Sequence, residues 1–436
     1  MKKVLILVFI QFLFACSLSA QDSTFQLIKR MIDSVSTENL TKQIKVLEDA
    51  GGHRSRVNFT PGNDSAANYI IKTFNSIPNL NSVKIDTFFI TSAVSPYDTK
   101  PLFNIEATIT GKKYPQTIFV VGAHYDASAS RMGSTIWQQQ WKTLKAPGAD
   151  DNATGVAALF EMARILTDTS NHFQSDFTIK FVAFGAEESG PAYSGAHHGS
   201  VVYAKKCKQS NQNIIGMVSI DMIGYNKNHL YQAIVSNGNS LPLANQFYDA
   251  NTLFDIGLTL NSSPFVNATY SDHASFWDEG YRAILLIENA PPWNNNSYYT
   301  ANPYYHTSSD SFGTLNMTLV KKVTQWNLGL VAAIGTRLTD TEKEEPISPN
   351  DFVLYQNYPN PFNPSTTIKW QSSISGFTSL KVFDIMGGEV VTLVSGDYPA
   401  GIYDVRLNAS TLSSGVYYYQ LKVGNNIQTK KMMIMK

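Results

Sequence analysis

The sequence of 436 residues has only two cysteines, Cys16 and Cys207, so at most one intramolecular disulfide can form. It also lacks an excess of either charge, with 34 basic side chains against 34 acidic ones. That balance gives no electrostatic reason for nucleic acid or an anionic surface as a partner. Long hydrophobic runs are missing as well. The run Val4 to Ala15, preceded by Lys2-Lys3, is too short for a convincing membrane span, and no later segment is long and apolar enough. With small residues ending at Ala20-Gln21, it reads as a secretory signal cleaved after Ala20. Cys16, behind Leu13-Phe14-Ala15, is a weaker echo of a lipidation site. If Cys16 leaves with the signal, Cys207 has no partner, and stability rests on the core and on any bound metal.

The length allows two or three domains. Residues 22–50 read as helical until Gly51-Gly52, and a second helix is predicted from Ser65, with Asp64 or Ser65 as N-cap. Strand-like runs follow at Val83 to Thr91, Phe103 to Thr110, Thr117 to Asp126, Phe177 to Phe184, Ile214 to Asp221 and Ala283 to Ile287. Helical spacing appears at Val156 to Leu166, around Ser200 to Lys206 and at Leu319 to Leu338. This alternation predicts an α/β sheet with helices on both faces. The charged, proline-broken stretch 341–350 reads as a linker. Residues 351–436 change character to period-two alternation with Gly and Pro turns, the pattern of a small all-β sandwich. That part has no histidine and no acidic cluster, so no chemistry is expected there.

Polar residues recur where the predicted strands end. His124 closes one, Glu187-Glu188 follow another and Asp221 closes a third, the edge at which open α/β sheets place their ligands. Two adjacent glutamates taken alone are more often a solvated pair in a loop. Together with Asp151, just before a predicted helix, and His306, they make a donor set of two imidazoles and three carboxylates: His124, Asp151, Glu188, Asp221 and His306. Such a set suits a borderline metal such as zinc better than calcium, which prefers oxygen alone. Two ions in one site need a bridging carboxylate. Glu187, left uncoordinated, is placed to take a proton from a water and return it to a leaving amine. Asp126, two residues after His124 on the same strand face, is expected to fix that imidazole's tautomer.

Five motifs in order carry a resemblance: His124-Tyr125-Asp126, Pro147 to Gly155 with its central Asp150-Asp151-Asn152, Ala186 to Gly190, Ile220-Asp221-Met222, and His306-Thr307-Ser308-Ser309-Asp310. Over about residues 25–338 the chain resembles the bacterial leucyl aminopeptidase family of secreted di-zinc exopeptidases. The resemblance implies a mixed, mainly parallel sheet, with His124 and Asp221 on one zinc and Glu188 and His306 on the other. It implies that Asp151 bridges the two and that Glu187 activates a metal-bound water. It further implies a cis peptide at Asp151-Asn152, a Tyr305 hydroxyl on the carbonyl oxygen of the transition state, a supporting role for Asp310, and Met222 in the substrate pocket. Substrates would be peptides with a free N-terminus.

Two departures stand out. The segment Gly190 to Gly199 is longer than the family's turn after the glutamates, and Val266 to Tyr270 stands where some members carry a cysteine pair. His197 and His198, in that Gly-rich segment, are expected at the surface. His53 is expected to be structural and His273 to support the core, while His172 and His229 carry no signal. The rival readings are a glutaminyl cyclase of the same fold, whose members usually carry Trp where Tyr305 stands, a carboxypeptidase or dipeptidase relative, and a non-catalytic receptor-like member.

The C-terminal part has its own resemblance. Leu354 to Pro364, then Ser413-Ser414-Gly415-Val416-Tyr417 and the basic end Lys430 to Lys436, resemble the sorting domain of the type IX secretion system. This implies export through the periplasm and across the outer membrane by that machinery, to a secreted or surface-attached state. A carbohydrate-binding sandwich is the alternative. The expected divisions are thus 1–20 signal, 21–340 zinc aminopeptidase domain, 341–350 linker and 351–436 sorting domain.

Overall fold

The computed structural model describes residues 23–266, 268–290, 293–336, 352–357, 360, 362–399 and 401–434. The predicted signal and linker lie outside them. The chain divides into two units, one up to residue 339 and one from residue 340.

The first unit begins with two helices where the periodicity predicts one, α1 over 23–33 and α2 (Thr37–Asp49). The break is local chemistry: Ser36 caps α2 by accepting the Asn39 amide, which requires extended backbone at Ser36. Next, α3 (Pro61–Ser76) starts earlier than expected. Thr60 is the N-cap and Pro61 takes the first helical position, where a missing N–H costs nothing. The remaining helices are α4 (Ser134–Gln140), α5 (Thr154–Thr167), α6 (His198–Gln209), α7 (Leu241–Leu253), α8 (His273–Asp278) and α9 (Met317–Gly335).

The strands of this unit are β1 (Ser82–Phe88), β2 (Leu102–Ile109), β3 (Tyr114–His124), β4 (Phe177–Phe184), β5 (Asn213–Ile220), β6 (Tyr231–Ser236), β7 (Thr259–Leu260), β8 (Phe265–Val266) and β9 (Ala283–Ile287). They form one sheet in the order β1-β2-β4-β3-β5-β9-β6-β7, with β8 also on β6. The centre is parallel: β3 lies between β4 and β5, and β5 pairs with β9. Antiparallel pairs flank it, β2 on β4 and β6 on β9. Alternate residues of β3 serve opposite cores. Phe119, Val121 and Ala123 join the cluster built with α2, α3, α5 and α9, while Ile118 and Val120 join Tyr203, Ala204 and Cys207 of α6 and Phe276 of α8. Helices therefore cover both faces, and the central strands, buried on both sides, read as continuous apolar runs. Cys207 is a buried free thiol. No helix among the described residues is long and apolar enough to cross a membrane.

The named strands of the second unit all pair antiparallel. Strands β10 (Val353–Leu354), β11 (Ser365–Ser372) and β14 (Gly401–Asn408) form one sheet. A second contains β12 (Gly376–Phe383), β13 (Glu389–Tyr398), β15 (Gly415–Val423) and β16 (Asn426–Ile434), in the order β13-β12-β15-β16. Leu354, Ile368, Trp370, Leu380, Val382, Tyr419, Leu421 and Met432 fill one core between them, as period-two alternation requires of a sandwich.

Candidate metal centre

The carboxyl ends of β3, β4 and β5 converge because they are parallel neighbours in the sheet, His124 standing in register with Phe184 of β4. His124, the last residue of β3, is buried. Its Nδ1 lies 3.2 Å from the Asp126 carbonyl and 3.6 Å from the Asp126 carboxylate. The backbone oxygen is thus the closer partner for an Nδ1–H, which leaves Nε2 as the free donor atom. The Asp126 carboxylate does something the sequence does not reveal. It accepts the amides of Glu187 (3.1 Å) and Glu188 (3.0 Å), and the Asn58 side chain at 2.6 Å, so it holds the paired glutamates at the end of β4.

Asp151 lies in a tight turn, 149–153, ahead of α5, and the Asp151-Asn152 peptide is cis. Asp310 ties this turn down. One of its carboxylate oxygens accepts the Asp150 amide at 2.9 Å and the other accepts the Asp151 amide at 3.1 Å. From below, the fully buried Arg56 donates to the carbonyls of Tyr125 (2.7 Å), Leu47 (3.3 Å), Gly148 (2.8 Å) and Pro147. It stitches the end of β3 to the start of the turn. Burial lowers its pKa to about 10, against the opposing pull of Asp310, Asp151 and Asp126.

The five predicted donors come together in two groups that share one carboxylate: His124, Asp151 and Asp221, and Asp151, Glu188 and His306. Asp151 presents Oδ1 to His124 Nε2 at 3.1 Å and Oδ2 to His306 Nε2 at 3.1 Å. Asp221 Oδ1 is 3.3 Å from His124 Nε2, and Asp221 Oδ2 accepts the Ser271 hydroxyl at 2.9 Å. Glu188 Oε1 sits 2.7 Å from His306 Nε2, yet takes part in no hydrogen bond. An unpartnered Glu188 oxygen beside an imidazole nitrogen, and one carboxylate facing two imidazoles, fit shared cations. Two donors held about 2.0–2.1 Å from one tetrahedral zinc stand roughly 3.3 Å apart, close to the spacings found here. The residues present therefore fit zinc.

His306 is steadied by Ser130, whose hydroxyl is 3.1 Å from Nδ1. Tyr305 stacks on the His306 ring at 3.8 Å between centroids, and the Arg131 guanidinium lies 4.5 Å over the Tyr305 ring. Ala186, Met222 and His306, each beside or within the donor set, have φ of 53°, 50° and 57°. Non-glycine residues there cost on the order of 1–3 kcal/mol each and gather where the fold over-determines them. Met222, expected to line the pocket, is buried in an apolar cluster with Tyr231, Leu285 and Ile287; the partly exposed Tyr225, Trp293 and Tyr305 pack against it.

Electrostatics follow from crowding charge into a buried basin. Burial pulls His124 down, but Asp221, Glu187, Asp126 and Asp151 outweigh it and hold its pKa well above the ordinary value. The same contest raises His306 to about 10, chiefly through Glu188 and Asp151. Burial pushes Glu188 up to about 8, partly offset by His306. Asp151 moves the other way: burial raises it, and the two imidazoles pull it well below the carboxylate range. Burial raises Glu187 strongly, opposed by His124 and reinforced by Asp221 and Asp126. Burial also holds the Tyr305 hydroxyl un-ionised, with Glu188 and Asp151 adding to it.

Three features escape the sequence reading. His197, expected at the surface, has a side chain only 19% exposed, with Nε2 3.1 Å from Glu187 Oε1; burial lowers its pKa. Asp272 is buried, and its carboxyl rises to about 7 through burial and the Glu187 charge. Asp150, Glu288, Tyr299 and Asn302 form a buried polar network, in which Tyr299 donates to Glu288 at 2.8 Å and Asn302 reaches both carboxylates. Asp150-Asp151 adjacency is the one sequence signal for it. His273, by contrast, is buried and bonded to the Ala268 carbonyl at 2.9 Å, in keeping with core support.

Residues 104–331 match peptidase family M28, and residues 356–435 match the secretion system C-terminal sorting domain. The chain is 27% identical over 311 residues to the uncharacterized protein YfbL of Escherichia coli, covering 66% of this chain and 85% of that protein. It is 29% identical over 237 residues to leucine aminopeptidase 1 of Blastomyces gilchristii, covering 52% of this chain and 55% of the relative, so it spans about half of that protein's length. Among solved structures, the Legionella pneumophila LapA aminopeptidase superposes with TM-score 0.55 at 19% identity, over 71% of this chain and 73% of that one. An Acidobacteriales glutaminyl cyclase does so with TM-score 0.55 at 19% identity, over 70% and 96%. At those identities the likeness is one of fold.

Proposed function

The chain belongs to peptidase family M28, and from that premise we propose that it is a secreted di-zinc aminopeptidase removing N-terminal residues from peptides. The observation that carries this reading is Asp151, whose two carboxylate oxygens each face a different imidazole at 3.1 Å. One carboxylate serving two donor groups is what a pair of ions requires. His124 and Asp221 would hold one zinc, Glu188 and His306 the other, with Asp151 between them.

Bound zinc ions supply Lewis acidity, polarising the scissile carbonyl and lowering the pKa of the attacking water. The chain's own residues do the rest. Glu187, adjacent to the donors but outside both groups, takes the water's proton and delivers it to the departing amine. Its amide is held by Asp126, so the carboxylate is aimed before substrate arrives. Tyr305, kept protonated by burial, donates its hydroxyl to the carbonyl oxygen as charge develops there. The sorting domain at 356–435 supports passage through the type IX secretion machinery to a secreted or surface-attached state.

The fold likeness to a glutaminyl cyclase keeps that reading as the alternative; Tyr305, where cyclases usually carry Trp, weighs against it. The test is hydrolysis of an aminoacyl-anilide panel by the purified protein, beside N-acetylated copies and a glutaminyl peptide. Cleavage of the free-amine compounds alone, lost in Glu187→Gln with zinc retained, is the expected result. Cleavage of the acetylated anilides, which offer neither a free amine nor a free carboxylate, would contradict an exopeptidase; cleavage of acetylated peptides with a free C-terminus instead would point to a carboxypeptidase, and cyclisation of the glutaminyl peptide without hydrolysis to a cyclase.

A further inference from the structure

The long segment after the paired glutamates is folded back on them. The amides of His197, His198 and Gly199 donate to the carbonyls of Glu187 (2.7 Å), Ala186 (2.8 Å) and Gly185 (3.1 Å), three consecutive donors on three consecutive acceptors in reverse order. Gly199 is needed for this approach, since a Cβ there would stand 2.2 Å from the Gly185 carbonyl oxygen. The rest of the segment is pinned as well: the Tyr193 hydroxyl donates to the Glu188 carbonyl at 2.6 Å and accepts the Asn58 amide at 2.6 Å, while the Val94 amide donates to the Ala192 carbonyl at 2.8 Å. His197 itself has left-handed backbone, φ 60° and ψ 24°. Its Nε2 ends 3.1 Å from Glu187 Oε1.

We propose that His197 is a positioning residue for Glu187: its Nε2–H donates to Oε1 and leaves Oε2 as the oxygen that carries the proton. This rests on the reading of Glu187 as the general base. The assignment of the hydrogen follows from chemistry. A general base starts as a carboxylate, which can only accept, so in that reading a neutral imidazole 3.1 Å from it carries its one proton on Nε2. The arrangement survives the reaction, because a proton taken on Oε2 leaves Oε1 an acceptor still bonded to His197. Side chain and backbone of one residue thus hold the same glutamate, which limits the carboxylate to one rotamer and one reactive oxygen.

The test uses the full chain with His197→Ala, His197→Gln, His197→Asn and Glu187→Gln. A glutamine can place its amide nitrogen where Nε2 stands, whereas asparagine reaches only the Nδ1 position. Loss of a charge-assisted hydrogen bond predicts a fall in kcat of roughly 10- to 100-fold for His197→Ala, with KM within about twofold and zinc content unchanged. His197→Gln is expected to recover most of the rate and His197→Asn not to. A readout independent of turnover is the histidine ring spectrum of 15N-labelled protein: the resonance missing in His197→Gln is expected as an Nε2–H tautomer whose shift moves in Glu187→Gln. Unchanged kcat in His197→Ala, equal losses in the Gln and Asn variants, or an Nδ1–H tautomer would overturn the proposal. Wild-type activity that survives Glu187→Gln would instead overturn the reading of Glu187. Should His197→Ala not fold, the Gln and Asn pair and the tautomer decide.

Discussion

Replacing Asp310 by Asn changes one atom and strikes the turn that carries Asp151. Each Asp310 oxygen accepts a different backbone amide, Asp150 at 2.9 Å and Asp151 at 3.1 Å. Asparagine keeps one acceptor and must turn an NH2 toward the other amide. The variant loses one hydrogen bond to a charged group, worth about 1.5–3 kcal/mol, and buries an unpaired N–H at about 1–3 kcal/mol. The sum is on the order of 3–5 kcal/mol, and at roughly 2 °C per kcal/mol for a domain of this size Tm falls by about 6–10 °C. Because both amides belong to the turn that carries Asp151, zinc affinity is expected to fall about 10- to 100-fold, as for other residues that orient a ligand. The experiment is best run at pH 8.5, because burial pushes the Asp310 carboxyl up to about 7 despite the two amides. Below that value the wild-type side chain is itself protonated, and the difference between wild type and variant narrows. Calorimetry of the apo protein gives the first number and a chelator-buffered zinc titration the second. A variant with Tm within 1 °C of wild type and unchanged zinc affinity at pH 8.5 would refute the argument that Asp310 holds this turn.

Arg56→Met removes a buried cation that serves four carbonyls, and is expected to cost about 3–5 kcal/mol; an unchanged urea midpoint would contradict that. Glu288→Gln tests the buried acid network, where burial holds Glu288 at about 8 in the native state against an ordinary value of 4.5. The native state then binds more protons than the unfolded chain between those values, so wild-type stability falls as pH rises from about 5 to 8. The amide variant should show a flatter profile over that window in denaturant titrations. Chelation should abolish peptide hydrolysis and lower Tm, and zinc at a hundred times its dissociation constant should return about 2.7 kcal/mol of stability. A Tm indifferent to zinc would argue against a metal held by this buried donor set.

Much of the first unit is legible in the sequence because its central strands are buried on both faces. Continuous apolar runs ending in His124 and Asp221, or running into Glu187-Glu188, mark strand, end and donor together. The donor set converges because its strands are parallel, and that direction follows from helices alternating with them. What is not legible depends on contacts across the fold. No local pattern shows that the Asp126 carboxylate would hold two amides while its carbonyl faces His124. Nothing near Arg56 announces four carbonyl acceptors, which come from positions 47, 125, 147 and 148. His197 reads as a surface residue because Gly-rich sequence leaves a loop's path open; only its pairing with Gly185 to Glu187 brings it inward. The break at Ser36 was within reach, since Ser followed by a helix start is a capping signal.

The donors that converge on Asp151 are drawn from positions 124, 151, 188, 221 and 306. A chain folding as it emerges cannot close this centre until its last donor has been made and β3, β4 and β5 have already paired. Until then Asp151 has one imidazole to face instead of two. Completion of the shared donor set is therefore a late event, tied to completion of nearly the whole first unit. Topology thus ties the appearance of a complete donor set to the folding of the polypeptide itself.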